Sequence, residues 1–169
     1  MLLIIFVSLV TAIETGFIPK TRIPPKARKG ASMMIHESLN EIFIFGGSEK
    51  TETLFNDIWG YNLNSDTWKE YRPLTDTAPS NEYLAPRYAC ASFVHKDSLY
   101  IYGGNSNLGP LKDLWKFDPY NFMWEVVATI NNPRTRFMAA FKDYFIEATH
   151  YMCLYGGYIQ GGLGPRLYT

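Results

Sequence analysis

The chain has only two cysteines among its 169 residues, too few for a disulfide framework. Cys90 and Cys153 are expected as buried free thiols. There is no Asn-x-Ser/Thr glycosylation site, which disfavours an extracellular life. Neither charge is in excess, with 16 basic and 16 acidic residues. The one basic cluster, Lys20, Arg22, Lys26, Arg28 and Lys29, is interrupted by prolines and leads into an apolar segment. It reads as a solvated linker, and nucleic acid is not an expected partner. No apolar run approaches the roughly 20 residues of a membrane-spanning helix, so no membrane partner is expected. Cys-x-x-Cys, His-Glu-x-x-His and Gly-x-Ser-x-Gly are all absent. The tract Gly156-Gly157, Gly161-Gly162, Gly164 lacks the Gly-Lys-Ser/Thr of a phosphate loop. His36 and His95 occupy equivalent places in different repeats, too far apart to share one ion with each other or with His150. No metal, cofactor or catalytic residue is expected.

What is present is aromatic and repetitive. Aromatics make up 16% of the chain, which suits a β-rich core. A doubled glycine follows a short apolar run three times, at Gly46-Gly47, Gly103-Gly104 and Gly156-Gly157. A period near fifty residues, with a strand feeding each pair, is the mark of a propeller blade. Other landmarks keep the register: Asp57 and Asp113, Tyr61 and Phe117, Trp68 and Trp124 are each 56 positions apart. Arg28, Arg87 and Arg136 open the copies.

Each unit reads as four short strands separated by turns. The first follows the Arg, the second ends at Gly-Gly, the third is the Trp59–Tyr61 or Trp115–Phe117 run, and the fourth carries Trp68 or Trp124. The second strand, Ile42-Phe43-Ile44-Phe45, is apolar on both faces, as a strand buried between two neighbouring blades would be. Glycine admits φ > 0 and close backbone approach, so each pair suits a tight exit where blades crowd. Trp68 and Trp124 offer large faces for packing between blades.

Pro-Arg, the strand ending in Gly-Gly, the run Asp113-Leu114-Trp115-Lys116-Phe117-Asp118 and the late Trp together resemble kelch repeats, over roughly residues 25 to 160. The His often found shortly after the Arg is absent, with Ala31 and Ala91 nearby. The resemblance implies an all-β fold of kelch-type β-propeller blades, each a four-stranded antiparallel sheet. The blade-forming residues are Arg28, Gly46, Gly47, Asp57, Tyr61 and Trp68; Arg87, Gly103, Gly104, Asp113, Phe117 and Trp124; and Arg136, Gly156 and Gly157. The arginines are expected to hydrogen-bond blade backbone from partly buried places.

The units are expected at 25–72, 86–128 and, in part, 129–169, with a linker loop at 73–85. Residues 1–24 are read either as a signal peptide, with Val10-Thr11-Ala12 as cleavage site, or as strands of a preceding blade. A cytoplasmic location is slightly favoured; cleavage at residue 12 would imply the secretory route. Propellers close with about four to eight blades. Two full blades plus parts make an incomplete ring, as in a fragment or a shared assembly.

The implied function is a non-catalytic scaffold that binds a protein partner through rim loops. The alternative is the propeller part of a metal-dependent enzyme such as a galactose-oxidase-like oxidase. The loop residues singled out are Ser48, Glu49, Lys50, Asn105, Ser106, Asn107, Leu108 and Tyr158. Self-association through open blade edges is also expected.

Overall fold

The computed structural model describes residues 24–50, 53–72, 84–129, 135–146, 149–159, 162–163 and 167–168. Residues 1–23, most of the 73–85 linker and Gln160 lie outside them.

The first blade is a four-stranded antiparallel meander of β1 (Ser32–His36), β2 (Glu41–Phe45), β3 (Ile58–Asn62) and β4 (Thr67–Glu70), in the order β1-β2-β3-β4. The second contains β5 (Ala91–His95) and β6 (Ser98–Tyr102), a short hairpin of β7 (Asn105–Ser106) and β8 (Gly109–Pro110), then β9 (Leu114–Asp118) and β10 (Met123–Val127). Its sheet order is β5-β6-β9-β10, the same meander with the hairpin set aside. The third sheet joins β11 (Ala140–Ile146), β12 (Thr149–Tyr155) and β15 (Leu167–Tyr168). A second small hairpin, β13 (Tyr158–Ile159) with β14 (Gly162–Leu163), follows the last glycine pair. Leu167 pairs with Tyr155 as Leu114 pairs with Tyr102. Thus β15 is the start of a third strand.

The first strands line up inside: β1 lies beside β5, and β5 beside β11. The blades fan outward from them, as in a propeller, and the described set does not close into a ring. Glycine pairs end β2 and β6 as the spacing predicts, and the aromatic run and late tryptophan fall on the third and fourth strands of both complete blades.

The core lies between blades. Met34, Phe43, Phe45, Ile58 and Tyr71 of the first unit meet Leu99, Ile101 and Phe117 of the second. The second seam joins Phe93, Tyr102 and Leu114 to Leu154, with Phe141 alongside. Directly opposed residues on neighbouring strands share a face, so the pairs Phe43–Met34 and Phe45–Ser32 point one way and Ile44–Trp59 the other. Phe43, Ile44 and Phe45 are all buried, fulfilling the two-faced reading of β2.

Trp124 crosses the first seam. Its ring lies 5.4 Å from Phe45 of the first blade and 4.8 Å from Phe117 of its own. Trp68 has Tyr61 of its own blade at 5.1 Å as its aromatic neighbour among the described residues. Trp124→Ala should therefore cost about 3 kcal/mol, against about 1 kcal/mol for Trp68→Ala. Urea midpoints of the two variants, taken at unchanged m, measure the difference.

Candidate functional site

Each of the two complete blades carries an ionic fork at one end, built on a buried arginine. Arg87 precedes β5, Gly103 ends β6 and Asp113 precedes β9, so the meander brings all three to the same edge. Nη1 of Arg87 donates to Asp113 Oδ1 at 2.6 Å, and Nη2 to Oδ2 at 2.7 Å. Nη1 also donates to the Gly103 carbonyl, and Nε to that of Ala85. Trp115 Nε1 donates to Asp113 Oδ2 at 2.6 Å. The first blade repeats the arrangement. Arg28 forks onto both oxygens of Asp57 at 2.5 and 2.9 Å and donates to Gly46 O, while Trp59 Nε1 donates to Asp57 Oδ2. Arg136 donates to Gly156 O at 2.6 Å.

The backbone contacts expected of the arginines are thus present, together with a carboxylate partner that sequence reasoning did not pair with them. Burial is deeper than expected: Arg87 is 0% exposed and Arg136 is also buried. Such burial is tolerated because the guanidinium's donors meet acceptors in bidentate geometry. Desolvation alone would raise the Asp113 carboxyl, but the Arg87 fork and the Trp115 N–H outweigh it and hold it below its ordinary value.

The same arginines tie consecutive blades through main chain. Arg87 N–H donates to Phe55 O, and Arg87 O accepts from Gly47 N–H. Arg136 repeats both bonds with Leu111 O and Gly104 N–H. One turn further, Ala89 N–H donates to Gly30 O and Met138 N–H to Ala89 O. Gly46 and Gly47 sit at φ +63° and +98°, where a side chain would be strained.

Two inter-blade contacts were not foreseen. Tyr71, just past β4, stacks on Phe122 at 5.4 Å and donates its hydroxyl to the buried Glu41 at 2.7 Å. Burial, then this bond, push its hydroxyl pKa well up. Lys69 Nζ lies 4.1 Å from the Tyr71 ring centroid. His36 is fully buried at the seam, accepting from Leu39 N–H at Nδ1, which leaves Nε2–H to donate to Asp97 O at 3.1 Å. The hairpin place shared by His36 and His95 announced a tip, not a seam. Among the described residues no cluster of His, Cys, Asp or Glu is set to hold a metal, and no helix is long and apolar enough to cross a membrane. Cys90 and Cys153 are half-buried rather than buried as expected, and desolvation pushes the Cys90 thiol up to about 12.

The rim loops need correction at several positions. Ser48 and Ser106 are buried rather than available for contact. Ser48 bridges Lys29 and Leu54, and Ser106 Oγ donates to Gly109 O within the β7–β8 hairpin. Asn105 is half-buried, its Nδ2 donating to Tyr88 Oη at 3.0 Å. Glu49 is half-buried, its N–H donating to Thr53 O. Lys50, Asn107 and Tyr158 remain exposed, and Leu108 is 98% exposed at the hairpin tip. Tyr88, Phe137 and Tyr158 form an aromatic row behind these tips, with centroids 5.9 and 5.4 Å apart.

The family model described as the KLHDC2/KLHL20/DRC7 Kelch-repeats domain matches residues 9–164. The chain belongs to the kelch-repeat family. Mouse Kelch domain-containing protein 3 is 27% identical over 140 residues, covering 80% of this chain and 33% of that protein. Mouse Kelch-like protein 40 is 26% identical over 124 residues, 72% of this chain and 18% of its own length. The Drosophila melanogaster leucine-zipper-like transcriptional regulator 1 homolog is 34% identical over 84 residues, half of this chain and 8% of that protein. The chain thus spans a third or less of these relatives. Kelch repeats typically serve as protein-interaction modules, and in this kelch chain the forks and glycine pairs build the scaffold while the tips face solvent.

Proposed function

We propose that this kelch array is a non-catalytic scaffold that binds a protein partner through the loops following its glycine pairs. The observation that carries the reading is the presentation of Leu108. An apolar side chain stands 98% exposed at the tip of a two-strand hairpin whose base is pinned to the blade by Leu111 N–H to Gly104 O. Rigid display of exposed apolar and aromatic side chains lowers the ordering cost of association, and Tyr158 adds a residue type enriched in hot spots. Lys50 and Asn107 supply the polar margin.

Affinity capture with the wild-type chain and an Asn107→Ala, Leu108→Asp, Tyr158→Ala triple variant tests this. All three side chains are exposed, so the blades stay folded. Proteins retained by the wild type should fall at least about tenfold on the variant, since two lost hot spots are worth that or more. A variant that holds every one of them equally removes the rim-loop reading.

A further inference from the structure

The chain is neutral as a whole, yet its charges are sorted between two rims. One rim is built from the segments that lead into β1, β5 and β11 and those that leave β2, β6 and β12. On it Lys26, Lys29, Lys50 and Lys112 are exposed, and none forms an ion pair among the described residues. Against them stands half-buried Glu49, since Asp57 and Asp113 are matched by Arg28 and Arg87. At the opposite rim, β1 turns into β2, β3 into β4, β5 into β6 and β9 into β10. There the balance reverses: Glu37, Asp66, Asp97 and Asp118 stand against Lys96.

The basic rim also carries the aromatic row, and the fold fixes the order of the two. In each unit the residue after the arginine pairs with the residue after the glycine pair: Lys29 with Ser48, Tyr88 with Asn105, Phe137 with Tyr158. Directly opposed residues share a face. The pairs therefore pass from cationic and polar in the first unit to wholly aromatic in the third. They are continuous in space. The Tyr88 ring lies over Gly30, where a Cβ would meet its Cδ2 at 3.3 Å. Its centroid is 5.9 Å from that of Phe137, which is 5.4 Å from that of Tyr158. Exposed Leu108 and Lys112 flank the row from the middle unit.

We propose that this rim takes an acidic, extended segment of a partner protein. Its carboxylates face Lys29, Lys50 and Lys112, and a neighbouring aromatic or aliphatic side chain rests on Tyr88, Phe137 and Tyr158. The proposal rests on the rim-loop reading above and adds the chemistry of the partner. Charge complementarity carries it: a surface with one sign in excess draws the opposite sign and disfavours its own. A nucleic acid fits less well. The guanidiniums of Arg28, Arg87 and Arg136 are engaged within their own blades, which leaves no fork for phosphate. Tyr88 and Phe137 meet at 61°, so they offer no parallel faces on which successive bases could stack.

Selection of random displayed dodecapeptides on the full chain tests it, followed by fluorescence anisotropy of the enriched peptides, synthesised with blocked ends and a fluorescein label. Enriched peptides should carry clustered Asp or Glu beside Phe, Tyr, Trp or Leu. Lys29→Gln with Lys112→Gln should weaken them about fivefold, as two exposed ion pairs are lost. Lys96→Glu changes the net charge by the same two units on the opposite rim and should leave affinity unchanged. Raising salt from about 0.05 to 0.5 M shortens the screening length from roughly 14 to 4 Å and should also weaken binding. All three lysines are exposed, so circular dichroism of the variants should match the wild type. Enrichment of neutral or basic peptides, or of none, overturns the proposal. So does an affinity that the glutamine pair leaves unchanged or that Lys96→Glu reduces equally. Displacement of the peptide by oligouridylate overturns it in favour of nucleic acid. In any of these cases, peptides lost on the Asn107→Ala, Leu108→Asp, Tyr158→Ala variant leave the rim-loop reading standing. Peptides held equally by that variant remove both.

Discussion

Asp113→Ala is expected to destabilise the chain by about 3–5 kcal/mol, the cost of leaving a buried charge unpaired. The guanidinium of Arg87 is wholly buried, and the two Asp113 oxygens are its charged acceptors in the fork. The loss reads as a fall in the urea midpoint. Arg87→Ala together with Asp113→Ala should cost less than the sum of the singles, since the second change removes the charge that the first stranded. The pH dependence has a definite sign. Asp113 is held below its ordinary value in the folded chain, so its contribution is complete above the unfolded value of about 4 and fades as pH falls through the lower folded one. The gap between wild type and Asp113→Ala should stay constant from neutral pH down to about 4 and narrow below it. A gap that narrows between pH 8 and 6 would assign the effect to another group.

Gly46→Val should be comparably severe, with an expected loss of about 3–5 kcal/mol, of which overpacking supplies about 1–3 kcal/mol. A left-handed conformation costs a residue with a side chain roughly 1–2 kcal/mol. The new Cβ also lands 2.5 Å from the Arg87 carbonyl, and the shift needed to relieve it breaks the Gly47–Arg87 hydrogen bond, worth about 0.5–1.5 kcal/mol. Phe55 O at 3.3 Å blocks the other direction. Gly156 supplies the control. Its φ of +67° matches that of Gly46 and a Cβ there would meet nothing within 4 Å, so Gly156→Val should show the backbone cost alone. Thermal unfolding of the pair separates crowding from conformation. Equal losses would mean that the close approach of the next blade contributes nothing.

Most of the blade plan was legible because it is periodic. Equal offsets at Asp57/Asp113, Tyr61/Phe117 and Trp68/Trp124 mark equal places in a meander, and the strands fall where those offsets put them. The fork was half legible. Arg87 and Asp113 were both recognised as landmarks, yet 26 residues of chain separate them, and only the fold of the meander shows that they share an edge. Tyr71 gave no signal because its partners, Phe117 and Phe122, belong to another blade and its own repeat position carries no matching residue in the second copy. The same holds for the buried His36. In the loops, composition pointed to polar contact residues, but short hairpins such as β7–β8 turn some of those polar groups inward to satisfy their own backbone. Burial of Ser48 and Ser106 follows from that local pairing, which four-residue stretches do not advertise.

The bonds between blades are made by carbonyls and amides of Gly30, Gly47, Arg87, Ala89, Gly104 and Arg136, and peptide groups are the same whatever side chains surround them. Adhesion between units is therefore largely indifferent to the identity of the residues at the tips. A lineage of such arrays can exchange Leu108 or Tyr158 for other chemistry, generation after generation, without renegotiating how one unit grips the next. A change at the rim alters what is held; a change at the seam alters whether anything is held at all.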